Sequence, residues 1–201
     1  MPREPRRDAV IDSAASLFAE NGFAATSVRE VAEKAQITKA GLYYHIREKE
    51  DLLQRICEHS IAAVLEGAYR VLENEAEPGA RLAGLIRSHI EYFVGHPSNL
   101  RVLTREMGAL SPKPRARVAK LEHEYLDLIR GVIRDGQAAG LFRALDPTVA
   151  AFTMLTVMNN LFDWYDPRGR ISPTTLVQQI ETILFQGVTA DAEAPNDGGA
   201  I

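Results

Sequence analysis

A cluster of small, hydroxyl-bearing, aromatic and basic side chains lies between residues 38 and 49, where it is well suited to binding another molecule. Its members are Thr38, Lys39, Ala40, Gly41, Tyr43, Tyr44, His45 and Lys49. Small groups at the start of a helix allow a close approach to base edges, while hydroxyl and basic groups bind phosphate oxygens. The spacing therefore predicts a short helix that enters the major groove of DNA.

An alternative is that the two adjacent tyrosines belong to the core of a small helical bundle. Neighbouring residues of a helix point about 100° apart, so Tyr43 and Tyr44 cannot both enter one core. One tyrosine is expected to be partly packed and the other to be free for a ligand. We therefore favour DNA contacts by Lys39, Tyr44 and Lys49, with His45 as a further candidate.

Helices are predicted on both sides of this segment and would position it. The first helix has one apolar face, formed by Val10, Ala14, Leu17 and Phe18. Ser27 and Glu30 have the spacing of a capping box, which opens the second helix. Thr38 is the expected N-cap of the third helix, and a long fourth helix follows over about residues 49–74.

The remainder of the chain also has helical periodicity, interrupted by proline and glycine. Further helices are expected after Pro78, over about residues 98–109, from the 111–114 breaker to about 139, and over about 147–165 and 173–188. The 147–165 helix is apolar nearly all round, which predicts burial on most sides. The fold class is therefore all-α with nine helices: a DNA-binding domain over residues 1–53, a larger body over 54–188, and a disordered tail over 189–201.

Composition limits the possible classes of protein. The chain has 201 residues, a net charge of −4 and a single cysteine, Cys57, so an intrachain disulfide and a multi-cysteine zinc site are excluded. The first 55 residues are electrically neutral, which favours a specific DNA site over nonspecific coating of nucleic acid. No long apolar run or signal peptide is visible, so we expect a cytoplasmic protein without a membrane span.

The region from Val10 to Leu53 resembles the tetracycline-repressor (TetR) family of bacterial transcription regulators. The matching motifs are LFAENGF at 17–23, TSVREVA at 26–32, LYYH at 42–45 and KEDLL at 49–53. The resemblance implies that Lys39, Ala40 and Gly41 lie nearest the base edges. It also implies phosphate contacts, which are assigned to Ser27, Arg29, Tyr43, Tyr44, His45 and Lys49.

Four positions depart from the family pattern: Gln36, Gly41, Ile46, which replaces an aromatic residue, and Glu48, which replaces a small N-cap. Gln36 replaces the glycine usual in the turn, which predicts either a left-handed glutamine or a different turn geometry. Gly41 replaces a residue that commonly carries a hydroxyl, so fewer direct base contacts are expected. These departures bear on which operator sequence is recognised. DNA binding itself is still predicted.

The resemblance implies that the last two helices form a four-helix bundle with a second copy of the chain. A homodimer is also favoured physically, because two recognition helices in successive major grooves supply contacts that one cannot. The other helices would enclose a ligand pocket. Its candidate lining residues are His89, Tyr92, Phe93, Arg105, Met107, Tyr125, Met154, Met158, Asn159 and Trp164.

These candidates suit a small hydrophobic effector. Residues 159–172 are similar to the subgroup that regulates fatty-acid and sterol side-chain breakdown, whose ligands are acyl-CoA thioesters. Arg105, Arg168 and Arg170 are candidates for the CoA phosphates. The alternative for each residue is structural: methionines commonly fill cores, Trp164 would suit a subunit contact, and an apolar helix face often holds a core histidine.

Sequence motifs argue against an enzyme. The chain shows no metal-binding histidine pair, phosphate-binding glycine loop or nucleophile turn, and no cofactor is expected. Two alternatives stay open: the same fold with aromatic or multidrug ligands, and a helical scaffold without operator binding. The favoured interpretation is a repressor that leaves its operator when a ligand shifts the fourth helix.

Overall fold

The computed structural model describes residues 7–188, apart from the side chains of Arg7, Asp8, His45 and Phe162. In this part of the chain the helices are α1 (Arg7–Asn21), α2 (Val28–Lys34), α3 (Lys39–His45), α4 (Lys49–Asn74), α5 (Pro78–Gly95), α6 (Pro97–Glu106), α7 (Pro112–Ala138), α8 (Pro147–Asn159) and α9 (Pro173–Val188). Short 3₁₀ turns follow α6 and α8, at Met107–Ala109 and Leu161–Asp163. The predicted all-α, nine-helix fold is confirmed for the described residues, and the predicted tail at 189–201 lies outside them.

Side-chain caps begin α2 and α3 where the sequence predicts them, and a further cap begins α8. The Ser27 hydroxyl accepts from the Glu30 amide, and the Glu30 carboxylate accepts from the Ser27 amide, which completes the capping box of α2. Thr38 caps α3 by accepting from the Gly41 amide at 3.0 Å. Asp146 caps α8 through the amides of residues 148 and 149.

The turn between α2 and α3 contains a left-handed glutamine. Gln36 has a φ of 57°, and among the described residues it is the only non-glycine with a positive φ. The first of the two predicted turn geometries is therefore confirmed. A non-glycine residue in this conformation costs about 1 kcal/mol or more, which the surrounding contacts must offset.

The long helix α4 belongs to two packing layers. Near its start it packs on α1, and further along it packs on α5, α6 and α7. Leu52, Leu53 and Ile56 are fully buried at the start, and Val64 and Ala68 continue the buried stripe. A second link joins α4 to α7, because the Glu50 carboxylate accepts from the Ser111 amide at 2.6 Å. Helix α4 is therefore one of two elements that join the N-terminal helices to the body; the other is α6, which packs directly on α1.

The helix α8 differs from its prediction in length and burial. It ends at Asn159 instead of Tyr165, and the Asn160 side-chain amide donates to the Thr156 carbonyl as the chain turns into the 3₁₀ segment. Met154 and Met158 are buried, but Val149, Phe152 and Val157 are exposed. The prediction of burial on most sides was wrong for one protomer, since one apolar face of α8 has no neighbour.

We expect Gly136→Ala to destabilise the fold strongly. A Cβ atom at Gly136 would lie 2.1 Å from the Phe142 ring, which packs directly on the α7 backbone. Relieving this overlap must move the ring or the helix, at a cost of about 1–3 kcal/mol or more. Thermal or urea unfolding measures it. Gly131→Ala on the same helix is the control: its Cβ would meet nothing within 4 Å, so this change should stabilise slightly. Equal effects of the two changes would contradict the prediction.

Two properties of the described residues bear on function. None of their helices is both long and apolar enough to cross a membrane. Residues 7–188 also contain no group of three His, Cys, Asp or Glu side chains suited to a metal ion.

Cys57 is buried, and its pKa is raised to about 12, first by burial and then by the charges of Glu122 and Glu58. Its thiol is therefore unreactive at neutral pH.

Candidate DNA-binding surface and ligand cavity

Helix α3 is held by a few apolar side chains and exposes the others. Leu42 and Ile46 are buried and anchor the helix, while Tyr43 is 46% and Tyr44 83% exposed. This division agrees with the expectation that only one tyrosine face is partly packed. The Lys39 ammonium group lies 5.8 Å from the centre of the Tyr43 ring, a weak cation–π contact. The outer face of α3 is therefore exposed to solvent.

The structure exposes most of the predicted DNA-binding residues to solvent. Exposed side chains belong to Ser27, Arg29, Thr38, Lys39, Ala40, Tyr43 and Tyr44. Gly41 is half-buried, because its Cα lies against the Thr38 cap. The Arg29 guanidinium group pairs with Glu33 at 2.7 Å. The side chain of His45 is outside the described residues.

Lys49 has a different environment from the predicted phosphate contact. Its ammonium group donates to the carbonyl oxygens of Phe23 at 2.7 Å, Thr26 at 2.8 Å and Ala24 at 3.3 Å. It also lies 4.4 Å from the centre of the Phe23 ring. An ammonium group has three donors, and all three are used here. We therefore correct the prediction: Lys49 joins the start of α4 to the loop between α1 and α2.

We expect Lys49→Met to lower the free energy of unfolding by about 1.5–3 kcal/mol, because it removes hydrogen bonds from a charged donor. The salt dependence of operator binding should stay the same, since no phosphate contact is lost. Chemical denaturation and DNA titrations at several salt concentrations measure the two effects. Lys120→Met, at an exposed position on α7, is the control for loss of a positive charge. A flatter salt dependence of operator binding, with an unchanged free energy of unfolding, would show instead that Lys49 contacts phosphate.

A cavity of about 370 Å³ opens between α4, α5, α6, α7 and α8. Its walls are formed by Ile61, His89, Phe93, Leu103, Thr104, Glu122, His123, Tyr125, Leu126, Phe152, Leu155, Thr156, Asn159 and Asn160. Half of these side chains are aliphatic or aromatic, and the other half carry hydroxyl, amide, imidazole or carboxyl groups. Such a lining suits a hydrophobic ligand that is oriented by a few hydrogen bonds.

His89 is at the centre of a buried polar network in this cavity. Its Nδ1 atom lies 3.2 Å from the Tyr125 hydroxyl, and its Nε2 atom lies 3.2 Å from Asn159 Oδ1. Because an amide oxygen only accepts, Nε2 carries the proton, and the Tyr125 hydroxyl then donates to Nδ1. Burial lowers the pKa of His89 to about 4 and raises that of Tyr125. Both groups are therefore neutral at physiological pH.

The cavity contains four of the ten predicted ligand-binding residues: His89, Phe93, Tyr125 and Asn159. The other six lie outside this lining, and their ligand contacts stay predictions. Met154 and Met158 are core residues, and Met107 and Tyr92 are half-buried outside the lining. Arg105 pairs with Asp163, and Trp164 is 59% exposed beyond the end of α8. Arg168 pairs with Asp166 at 3.3 Å in the exposed loop.

Glu122 is the most informative cavity residue that the sequence prediction missed. It is half-buried, and burial raises the pKa of its carboxyl group. A carboxylate in the apolar stripe of α7, one turn before Tyr125 and Leu126, is the signal that points to it. The cavity residues Phe152 and Thr156 were also missed, because a helix apolar on all sides does not show which face meets a cavity.

Comparison with known proteins assigns the family. The model for "Bacterial regulatory proteins, tetR family" matches residues 10–56. The model for "Tetracyclin repressor-like, C-terminal domain" matches residues 75–188, which is more than half of the chain. The chain therefore belongs to the TetR family and is a DNA-binding, ligand-responsive transcription regulator.

Three relatives illustrate the similarity. The transcriptional repressor KstR2 of Mycolicibacterium smegmatis is 28% identical over 193 residues, covering 94% of each chain. The structure of the ketosteroid transcriptional regulator KstR2 of Mycobacterium tuberculosis has a TM-score of 0.85 at 26% identity, over 92% of this chain and 96% of that one. AibR in complex with isovaleryl coenzyme A and operator DNA has a TM-score of 0.80 at 29% identity, over 89% and 97% of the two chains.

Proposed function

We propose that the protein is a repressor that binds its operator as a homodimer and is released by an acyl thioester. The observation that carries this proposal is the double role of α4. Lys49 ties the start of this helix to the α1–α2 loop, while Ile61, twelve residues later, lines the cavity. The two positions are about 18 Å apart along one helix axis. A ligand that moves the cavity wall therefore also moves the DNA-binding helices.

The proposed DNA-binding surface is formed by the exposed face of α3 and the start of α2. Lys39 and Gly41 would approach base edges, and Tyr44, Ser27 and Arg29 would contact phosphates. The N-terminal residues up to about 53 act as the DNA-binding unit, and the remainder senses the ligand and dimerises. Because operator DNA is in the cytoplasm of a bacterium, we place the protein there, without enzymatic activity or cofactor.

The proposed dimer interface is the unpartnered apolar face of α8 and α9. Val149 on α8 is 64% exposed, and Ile183 on α9 is 69% exposed. Large exposed apolar side chains on a protein surface mark interaction sites when a partner covers them. Pairing α8 and α9 with the same helices of a second copy would cover them in a twofold, four-helix arrangement. It would also set the separation of the two α3 helices.

The acyl thioester is proposed from both the cavity and the relatives. The aliphatic and aromatic half of the cavity lining would hold an acyl group, and the structure of AibR contains isovaleryl coenzyme A. The ligand shifts the equilibrium only by its difference in affinity for the DNA-bound and released states. A hundredfold loss of operator affinity needs a coupling free energy of about 2.8 kcal/mol, which is in the usual range.

A second candidate function is favoured by the aromatic part of the lining. Phe93, Tyr125 and Phe152 surround the same cavity as the Glu122 carboxylate. Aromatic rings together with one carboxylate would also accept an aromatic cation. The protein would then be a repressor with the same fold that responds to drug-like compounds. Release from DNA by an aromatic cation such as ethidium, and by no acyl thioester, would favour this function.

Fluorescence anisotropy tests the proposal with labelled DNA from upstream of the protein's own gene. We expect tight, salt-dependent binding that is reversed by acyl-CoA thioesters of one chain-length class and not by CoA alone. Binding that no thioester reverses would contradict the proposed effector and keep the regulator. A chain that binds no site across a genomic DNA library would contradict the operator-binding function and favour a helical scaffold.

A further inference from the structure

The ligand cavity has a single formal charge in its lining. Among the described residues that form its walls there is no lysine or arginine, and Glu122 is the one carboxylate. No hydrogen bond or ion pair joins the Glu122 carboxylate to another described side chain. The neighbouring charge that acts on it is that of His123, which also borders the cavity. A ligand in the cavity therefore meets a carboxyl group that no lysine or arginine of the lining pairs with.

The cavity also offers a hydrogen-bond donor, the side-chain amide of Asn159. The His89–Asn159 bond uses the Asn159 oxygen, so its Nδ2 atom is directed away from His89 and is available to a ligand. The Tyr125 hydroxyl already donates its proton to His89 Nδ1, and His89 Nε2 donates its proton to Asn159 Oδ1. The lining thus offers an amide donor to a carbonyl oxygen and a carboxylate to a group that donates.

We propose that Glu122 is a specificity-determining residue that makes this cavity accept a neutral acyl thioester and reject the corresponding free acid. The inference rests on the proposed function and adds the charge state of the effector. A free carboxylate would lie close to half-buried Glu122 in a cavity whose lining has no lysine or arginine, and the two like charges would repel each other. A thioester has the same acyl chain and an uncharged carbonyl, which Asn159 can bind.

This selection would let the protein distinguish an activated acyl group from its precursor. The free acid and the thioester differ by one condensation, in which the acid's carboxylate oxygen is lost and a thiol sulfur is joined to the acyl carbon. A regulator that responded to both would also respond before activation. Glu122 would restrict the response to the product of an acyl-activating reaction.

Calorimetric titration of the full chain with two matched probes tests the inference. The probes are S-octanoyl-N-acetylcysteamine, a neutral thioester without CoA phosphates, and sodium octanoate. We expect the wild type to bind the thioester at least about a hundredfold more tightly. Glu122→Gln has the same shape without the charge and should strengthen octanoate binding by about tenfold or more, with little change for the thioester.

The control is Glu124→Gln, which removes a charge from the same helix outside the cavity, where Glu124 accepts from the Tyr69 hydroxyl. It should leave both affinities unchanged, and melting temperatures verify that each variant folds. An unchanged ratio of the two affinities in Glu122→Gln would overturn the inference while the thioester still binds. If neither probe binds the wild type and no acyl-CoA releases the DNA, the proposed acyl-thioester effector is contradicted, and the inference about Glu122 is contradicted with it.

Discussion

Ile183→Glu is expected to convert the homodimer into monomers and to lower operator affinity by at least a hundredfold. Ile183 is 69% exposed on α9, so the change costs the folded protomer little. In the proposed four-helix interface it would place two carboxylates near the twofold axis, where burial without a partner costs several kcal/mol. Each monomer then binds DNA with a single recognition helix, and the contacts with the second half-site are lost.

Analytical ultracentrifugation measures the state of assembly, and anisotropy on operator DNA measures the affinity. Gln178→Glu adds the same charge to α9 at another exposed position, about 140° around the helix from Ile183, and should leave the dimer intact. Val149→Glu on α8 should reproduce the effect of Ile183→Glu. A dimer that persists in both variants would show that the subunits meet elsewhere.

The DNA-binding helices were the part of the fold that could be predicted best from the sequence, because local signals determine them. The Ser27 capping box, the Thr38 cap and the Gln36 turn each depend on residues within three or four positions. These contacts form in the structure as the sequence indicated. Lys49 is the exception, since its partners lie 23 to 26 residues earlier in the chain. A lysine suited to phosphate and one that binds carbonyl oxygens are identical in sequence.

The lining of the ligand cavity was harder to predict from the sequence, because it depends on how five helices pack together. Periodicity shows that a helix has an apolar face, but not whether that face meets another helix, a cavity or a second subunit. Met154 and Phe152 illustrate this on α8: both are apolar, yet the first is buried and the second is exposed beside the cavity. Trp164 was misplaced for a different reason, since α8 ends five residues before it.

Lys39→Ala is expected to weaken operator binding by about ten- to a hundredfold and to relax specificity at one base pair of each half-site. Lys39 is the first residue of α3, exposed, and beside the small residues Ala40 and Gly41, which permit close approach to the groove. In the free protein its ammonium group has only a weak contact with the Tyr43 ring, so little is lost when it turns to DNA. A lysine that donates to guanine contributes about 1–3 kcal/mol of discrimination.

The distinguishing measurement is affinity for a set of operators with single base-pair changes, repeated at several salt concentrations. A base-reading lysine predicts that the variant loses discrimination at one position, whereas a phosphate-binding lysine predicts an even loss and a salt slope smaller by about one. Lys120→Ala removes a positive charge from the exposed surface of α7 and should change neither quantity. Undiminished binding and discrimination in Lys39→Ala would remove this residue from the DNA interface and leave Tyr44, Ser27 and Arg29 to form it.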